Sequence, residues 1–423
     1  MNAGLCLLCI ILIPLASTGL ALIHQGLGRS RSAAHAMLAT LCSVAIAAIV
    51  FVLIGAAWAG FSGGLAHNIH LAGKTVDWLG AEPFFATSLR SSLRGPYPAF
   101  VLAFGLFAVG LATLIPISSG TDRWRLASIC AASALFAAIF FPLFSHWVWG
   151  SGWLAQLSSL FNLPAFTDIG GAAVLNVLGG LTALSVAWIL GPRQGKYADG
   201  IAAAIPGHNI VQVLFGCSIA LIGWIGLELS ASILFYAAIP TQLVFTVINA
   251  VLSASAGCVA AVVTTQLRYR KPDASLSANG WIAGLVAGSA GAGALSPLAT
   301  IFIALVAGTL VTLLVETLEL RLFIDDPGGA ISVHLGAGLW GVFAFGLFGP
   351  TSSRAGLILT QLIGISTLFG LLFPIIHVAH RLLNKLVPFR VDADGDWQGM
   401  DVRELGAGAY PEFVVHADEF APR

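Results

Sequence analysis

An imidazole in the middle of an apolar run is the first residue that could do chemistry. His334 sits in the stretch 331–341, ISVHLGAGLWG. Eight residues before it stands Asp326, followed by Pro327 and two glycines. The same layout occurs earlier in the chain. Asp168, Gly170, Gly171 and Ala172 match Asp326, Gly328, Gly329 and Ala330 at a constant offset, and Gly180 and Leu181 match Gly338 and Leu339. Asn176 holds the position equivalent to His334. An imidazole donates and accepts a proton near neutral pH, whereas an amide only exchanges hydrogen bonds. The two positions predict one shared polar site of unequal chemistry. The plainer role for His334 is a hydrogen bond between helices. Asp168 and Asp326 stand at helix starts, where free N–H groups and the helix dipole favour a carboxylate. Capping is the ordinary reading for both, and Asp168 could also draw a cation to a pore mouth.

Other residues offer chemistry in weaker patterns. His146-Trp147-Val148-Trp149-Gly150 closes an apolar run. Aromatic residues there form an interface belt, and an indole face can also hold a cation. Phe100, Phe104 and Phe107 make a helical stripe that reads as packing or as a gate. Glu228 is a carboxylate at the outer end of a run, where the interface would hydrate it. His67 and His70 have i, i+3 spacing but no further ligand nearby, so a metal site is not expected. His377 and His380 read as interfacial. All six cysteines lie in apolar runs, and the CxxC spacing of Cys6 and Cys9 reads as packing. No nucleophile–base set, metal cluster or phosphate loop points to an enzyme, and no cofactor is implied.

These residues must be positioned by membrane-spanning helices. The chain has 423 residues, of which 58% are hydrophobic and 9% charged, with mean hydropathy +0.92. A soluble domain carries about 25% charged residues, so this surface is covered by lipid. The 19 basic and 19 acidic residues give no sign of nucleic-acid binding. Runs long enough to span a bilayer fall at about 3–24, 33–60, 97–117, 126–148, 169–191, 209–227, 240–266, 277–294, 297–320, 329–349 and 354–384. The expected fold is an all-α polytopic membrane protein with eleven transmembrane helices. The loops after spans one, three, five, seven, nine and eleven carry Lys and Arg, and those after four, six and eight carry none. By the positive-inside rule the N-terminus is outside and the C-terminus cytosolic; the loop 61–96 (Lys74, Arg90, Arg94) and Arg354 break the contrast. Spans five and ten then run in opposite directions, as an inverted 5+5 repeat requires. The halves are about 3–191 and 209–349, with span eleven, 354–384, outside the repeat. A membrane domain over 1–386 precedes a cytosolic tail, 387–423.

With these residues assembled, the chain resembles the ammonium transporter (Amt/Mep/Rh) family over nearly its whole length. The resemblance rests on 14–29 (PLASTGLALIHQGLGR), Trp149-Gly150, 168–191, Gly191-Pro192-Arg193-Gln194-Gly195, His208-Asn209 and Gly223-Trp224-Ile225-Gly226. It continues through Ile324-Asp325-Asp326, Val333-His334, 338–341 and the tail residues Gly399-Met400-Asp401, Gly406 and Ala409-Tyr410. It implies a multi-pass protein of the plasma (inner) membrane, a homotrimer, and one hydrophobic pore per subunit that takes ammonium or ammonia. By resemblance Trp149 and Ser218 match the outer recruitment site, Phe104 or Phe107 supplies one gate ring, and the other gate position falls on Leu214, with Phe215 beside it. His334 matches the second pore histidine, and Asn176 replaces the first. Three further departures stand out. Glu228 replaces the usual Asn, the acidic-Arg motif after span three is reduced to Asp122-Arg123, and the tail has Leu405 and Ala407 where His and Glu are expected. The resemblance also implies a PII-type signal protein as a tail partner, an inference these tail changes weaken.

A bare ammonium ion in a hydrocarbon-like pore faces a desolvation cost on the order of tens of kcal/mol in an idealised medium. Separating ammonia from the proton avoids much of it, and the proton then needs its own relay. With Asn176 a two-imidazole relay cannot form. The leading expectation is ammonium/ammonia transport with altered selectivity or proton coupling. The alternatives are a sensor or structural subunit of the same fold that does not transport, and a channel for another small neutral molecule.

Overall fold

A computed structural model describes residues 3–71, 73–90, 95–198 and 200–410. Arg94 and the tail end, 411–423, lie outside the described residues. Among the described residues, ten helices are long and apolar enough to cross a membrane. They are α1 (Ala3–Leu27), α2 (Ser30–Ala59), α3 (Tyr97–Gly120), α4 (Leu126–Val148), α5 (Ala172–Leu190), α6 (Ile210–Phe235), α7 (Pro240–Tyr269), α9 (Pro297–Leu320), α10 (Ile331–Phe348) and α11 (Arg354–Leu386). The run expected at 277–294 forms a shorter helix, α8 (Ala274–Ser289), of 16 residues. At 1.5 Å per residue it is ~24 Å long, below the ~30 Å of a hydrocarbon core. It is packed between α7 and α9. Its composition explains the close fit: a side chain built on Gly280 would meet the Gly257 carbonyl at 2.6 Å. Small residues let membrane helices approach at backbone distance, where dispersion acts in place of the hydrophobic effect.

The most buried helices are α5, α8, α3 and α10, while α1, α6 and α7 turn large apolar side chains such as Leu8, Ile11, Val211 and Phe215 outward. The stretch 61–96 is more ordered than a plain loop. It contains an antiparallel hairpin, β1 (Ala66–Leu71) with β2 (Lys74–Gly80), with a bulge between His67 and Asn68. Asp77 on β2 accepts from His146 Nε2 at 2.7 Å, and the His146 Nδ1 donates to Ala59 O at 2.9 Å. His146 is therefore a buried strut between hairpin and α4, not part of an aromatic belt.

A charged layer closes the opposite end. Arg193 donates to Asp325 through Nε (2.9 Å) and Nη2 (3.0 Å) and to Asp122 through Nη1 (3.0 Å). Arg123 is fully buried and donates to the carbonyls of Gly191, Thr121 and Asp325. Asp122-Arg123, read as a reduced motif, is thus an intact part of this layer. Burial alone would raise the Asp325 carboxyl; the neighbouring Arg123 and Arg193 outweigh it and hold it below the usual carboxylate range. The tail docks here. Asp396 meets Arg29 and Arg390. Asp401 accepts from the N–H groups of Ala34 and His35 in the first turns of α2. Glu404 accepts from the Leu126 N–H at the start of α4 and pairs with the His35 ring at 3.0 Å. Carboxylates at helix N-termini are favoured by free N–H groups and the dipole. Leu405 and Ala407 make no such contact; Glu404, beside Leu405, joins Asp396 and Asp401 in anchoring the tail.

Candidate functional site

The two matching segments fold alike. Each opens on a wide π-helical turn, Ala172–Val177 in α5 and Ile331–Ala337 in α10, a feature common at functional sites. Each is preceded by a glycine in the left-handed region, Gly171 (φ +87°) and Gly329 (φ +72°), where a side chain would be strained. Each has its carboxylate on the first free N–H groups. Asp168 Oδ2 accepts from Ala173 and Val174, and Asp326 accepts from Ala330 and Ile331. The helices then cross at matching glycines. A side chain on Gly180 would strike Leu335, and one on Gly338 would strike Val177. These four positions carry the offset seen in the sequence, so the contact is reciprocal.

This crossing brings Asn176 and His334 together. His334 Nδ1 donates to Asn176 Oδ1 at 2.7 Å, and Asn176 Nδ2 donates to Gly171 O at 3.0 Å. The second bond fixes the amide's orientation: its oxygen must face the imidazole. His334 therefore carries its proton on Nδ1, and Nε2 is left with a free lone pair. Nε2 has no hydrogen-bond partner among the described residues, although the side chain is buried.

Toward the hairpin end lies an aromatic cluster. Trp149 and Phe235 stack with ring centres 5.0 Å apart and planes 4° apart. Phe104 meets Trp149 edge-on at 5.5 Å and Phe235 at 5.3 Å. Trp149 Nε1 donates to Asp168 O at 2.8 Å, and the Tyr236 hydroxyl accepts from the Asp168 N–H. Burial, only partly opposed by the Val174 and Ala173 N–H groups, pushes the Asp168 carboxyl up to about 7, and Oδ1 is buried without a partner. That weakens Asp168 as a fixed negative charge near neutral pH.

Several expected site residues lie elsewhere. Leu214, Phe215 and Ser218 are exposed on the outward face of α6, with Leu214 44% and Phe215 61% accessible, so they cannot gate a path buried within this subunit. Phe235, one helix end away, occupies the cluster instead. Its signal in the sequence was an aromatic pair, Phe235-Tyr236, closing α6. Phe107 is half-buried on α3 and takes no part in the stacked cluster. Glu228 is not hydrated. It is buried, and its Oε1 accepts from Ser289 Oγ at 2.7 Å, which in turn accepts from Trp224 Nε1 at 2.8 Å. His377 and His380 both place Nδ1 3.1 Å from Ser185 Oγ, and His380 is wholly buried rather than interfacial.

Comparison with known proteins fits this geometry. The profile of the Ammonium Transporter Family matches residues 4–410. The chain belongs to that family. It is 31% identical to ammonium transporter Amt2 of Archaeoglobus fulgidus, over 98% of this chain and 89% of the relative. It is 28% identical to the ammonium transporter of Bacillus subtilis, over 96% and 97%. Among solved structures, a sensor Amt protein superposes with a TM-score of 0.85 at 24% identity, over 96% of this chain and 98% of that one. Candida albicans Mep2 superposes at 0.79 with 18% identity, over 97% and 90%. Family membership supports ammonium or ammonia transport through a membrane pore; members are transporters, not enzymes.

Proposed function

We propose that the chain carries ammonium across the membrane as ammonia and a separately handled proton, along a path through the Trp149–Phe104 cluster and the Asn176–His334 pair. The hydrogen bond of 2.7 Å between Asn176 and His334 carries the reading. It joins the twin positions into one buried site holding a single titratable ring, so selectivity and proton coupling differ from those of a two-imidazole pore. Trp149 and Asp168 form the recruitment end and Phe104 and Phe235 the gate. The fold read with this function has eleven crossings, α8 being the eleventh, and an inverted repeat of five plus five helices supported by the reciprocal Gly180 and Gly338 contacts. The membrane domain covers 1–386 and the tail 387–423. The hairpin end is outside and the charged layer with the tail is cytosolic, in keeping with the basic loops. The outward apolar side chains of α1 and α6 suit a homotrimer in a plasma membrane, and the docked tail is where a PII-type protein would bind.

A second reading, a sensor that binds ammonium without passing it, is favoured by one observation: Phe235 covers the Trp149 face on which a cation would rest. Reconstitution in proteoliposomes separates the two. Ammonium-evoked current and ammonia uptake are measured for the wild type and for Asn176→His. Transport predicts uptake above empty liposomes, with a changed ratio of current to uptake in the variant. Tight ammonium binding with no flux in either protein would sink the transport reading and establish the sensor.

A further inference from the structure

His24 lies in the last turn of α1 and makes no hydrogen bond through either ring nitrogen among the described residues. It is 4% exposed, and its Nδ1 is wholly buried without a partner. A buried polar group left unpaired costs free energy, so such a group in a native protein calls for an explanation. Its position supplies one. The α-carbon of Gly28, just past the end of α1, faces Thr121, and that of Gly328, just before α10, faces Ser118. The end of α1 and the start of α10 therefore flank the same final turn of α3. From there His24 is four residues back along α1 and His334 six residues on along its segment. Counted over the helical residues alone, His24 is three back from Leu27 and His334 three on from Ile331, so at ~1.5 Å per residue the two imidazoles lie at nearly one depth. The next residue, Gln25, continues the polar line: its Nε2 is 3.3 Å from His208 Nε2, which is 3.3 Å from the Tyr410 hydroxyl of the tail.

We propose that His24 is the second imidazole of the pore, a proton acceptor beside His334 that takes over the relay function Asn176 cannot perform. This rests on the transport reading above. Ammonium gives one proton to His334 Nε2, the only free lone pair on that ring, and becomes ammonia. Nε2 passes the same proton to a ring nitrogen of His24, directly or through one water, and His24 releases it to cytosolic water. One ammonia and one proton reach the inner side for each ammonium, so charge and atoms balance. Asn176 acts as a positioning residue that fixes the tautomer.

The test uses the full chain in proteoliposomes, with ammonium-evoked current and ammonia uptake read separately in H2O and D2O. His24→Gln keeps a polar side chain but cannot titrate; His24→Phe fills the site with an apolar ring. Both variants are expected to lose about 100-fold in current, the lower end of what a positioned proton acceptor contributes, while ammonia uptake stays within about twofold of wild type. The solvent isotope effect on the wild-type current is expected to vanish in the residual current. Wild-type current with an unchanged current in His24→Gln overturns the relay and leaves the transport reading standing. No flux in the wild type overturns both. An equal fall of current and uptake in His24→Gln assigns His24 a structural role and also overturns the relay.

Discussion

Asn176→Leu tests the site's central bond. Leucine keeps the four-atom branched outline of asparagine with bulkier ends, so the substitution removes the amide while keeping an apolar side chain against 0%-exposed Leu175 and Val177. Two hydrogen bonds disappear, one to His334 Nδ1 and one to Gly171 O. They are not equivalent. Gly171 O still accepts from the N–H groups of Leu175 and of residue 176, so it remains satisfied. His334 Nδ1 has no other acceptor and is left as a buried N–H, which costs about 1–3 kcal/mol. The apolar side chain offsets part of this, and a net loss of ~1–2 kcal/mol is expected, or roughly a 5- to 30-fold fall in the folded-to-unfolded ratio. Denaturation in detergent followed by tryptophan fluorescence reads the loss. Nitrogen-15 labelling of histidine reads its cause: in the wild type the His334 signal is that of a ring protonated on Nδ1, and in Asn176→Leu it becomes a mixture of tautomers. A wild-type ring protonated on Nε2, or a variant as stable as wild type to within about 0.3 kcal/mol, would refute the assignment of donor and acceptor.

Two further outcomes follow from the outer end of the path. Phe235→Ala removes the ring stacked on Trp149 and is expected to expose that indole, giving tighter ammonium binding, with a gain of ~0.5–2 kcal/mol for a cation on the vacated face; unchanged binding measured by calorimetry would show that the face is not a cation site. Asp168 sets a pH dependence of definite sign. Its folded-state carboxyl is raised from 3.8 to about 7, so the stability it contributes is present below about pH 4 and is lost as pH rises through about 7, up to ~4 kcal/mol in all. Thermal denaturation of the wild type should therefore show a falling contribution between pH 4 and 7 that is absent in Asp168→Asn, and parallel profiles would contradict the burial argument.

The spanning helices were legible because lipid leaves a chain few choices: backbone groups must bond within helices, and charges are confined to ends. Asn176 and His334 were legible for a related reason. A polar side chain in an apolar run is costly, and two at one offset in matching surroundings imply a shared place. What failed was the assignment of aromatic and interfacial residues. Leu214 and Phe215 look like gate residues in a one-dimensional sequence, yet rotation about α6 turns both outward, and only the crossing of α6 over α3 shows that Phe235 is the ring that meets Phe104. His146 and Glu228 were read as wetted because they lie near span ends. The hairpin and Ser289 bury them, and neither partner is near in sequence. His24 gave no signal, since one histidine near the end of a span is ordinary until its lack of partners is known.

The unequal pair also constrains any mechanism. In a pair of imidazoles each ring can take a proton at one nitrogen and yield it at the other, so a proton can pass through the ring. Here Gly171 O holds the Asn176 amide in one orientation, and that amide holds His334 protonated on Nδ1. Passage through the ring would require Nδ1 to give its proton to an amide oxygen, which is far too weak a base to keep it. A proton can therefore only arrive and depart at Nε2. If no second acceptor faces that nitrogen, every proton taken from ammonium must return to the side it came from, and the protein can bind ammonium or pass neutral ammonia but carry no sustained current. If one does, the current depends on it. The ratio of charge moved to ammonia moved is for this reason the measurement that separates a sensor, an ammonia channel and an ammonium transporter built on the same helices.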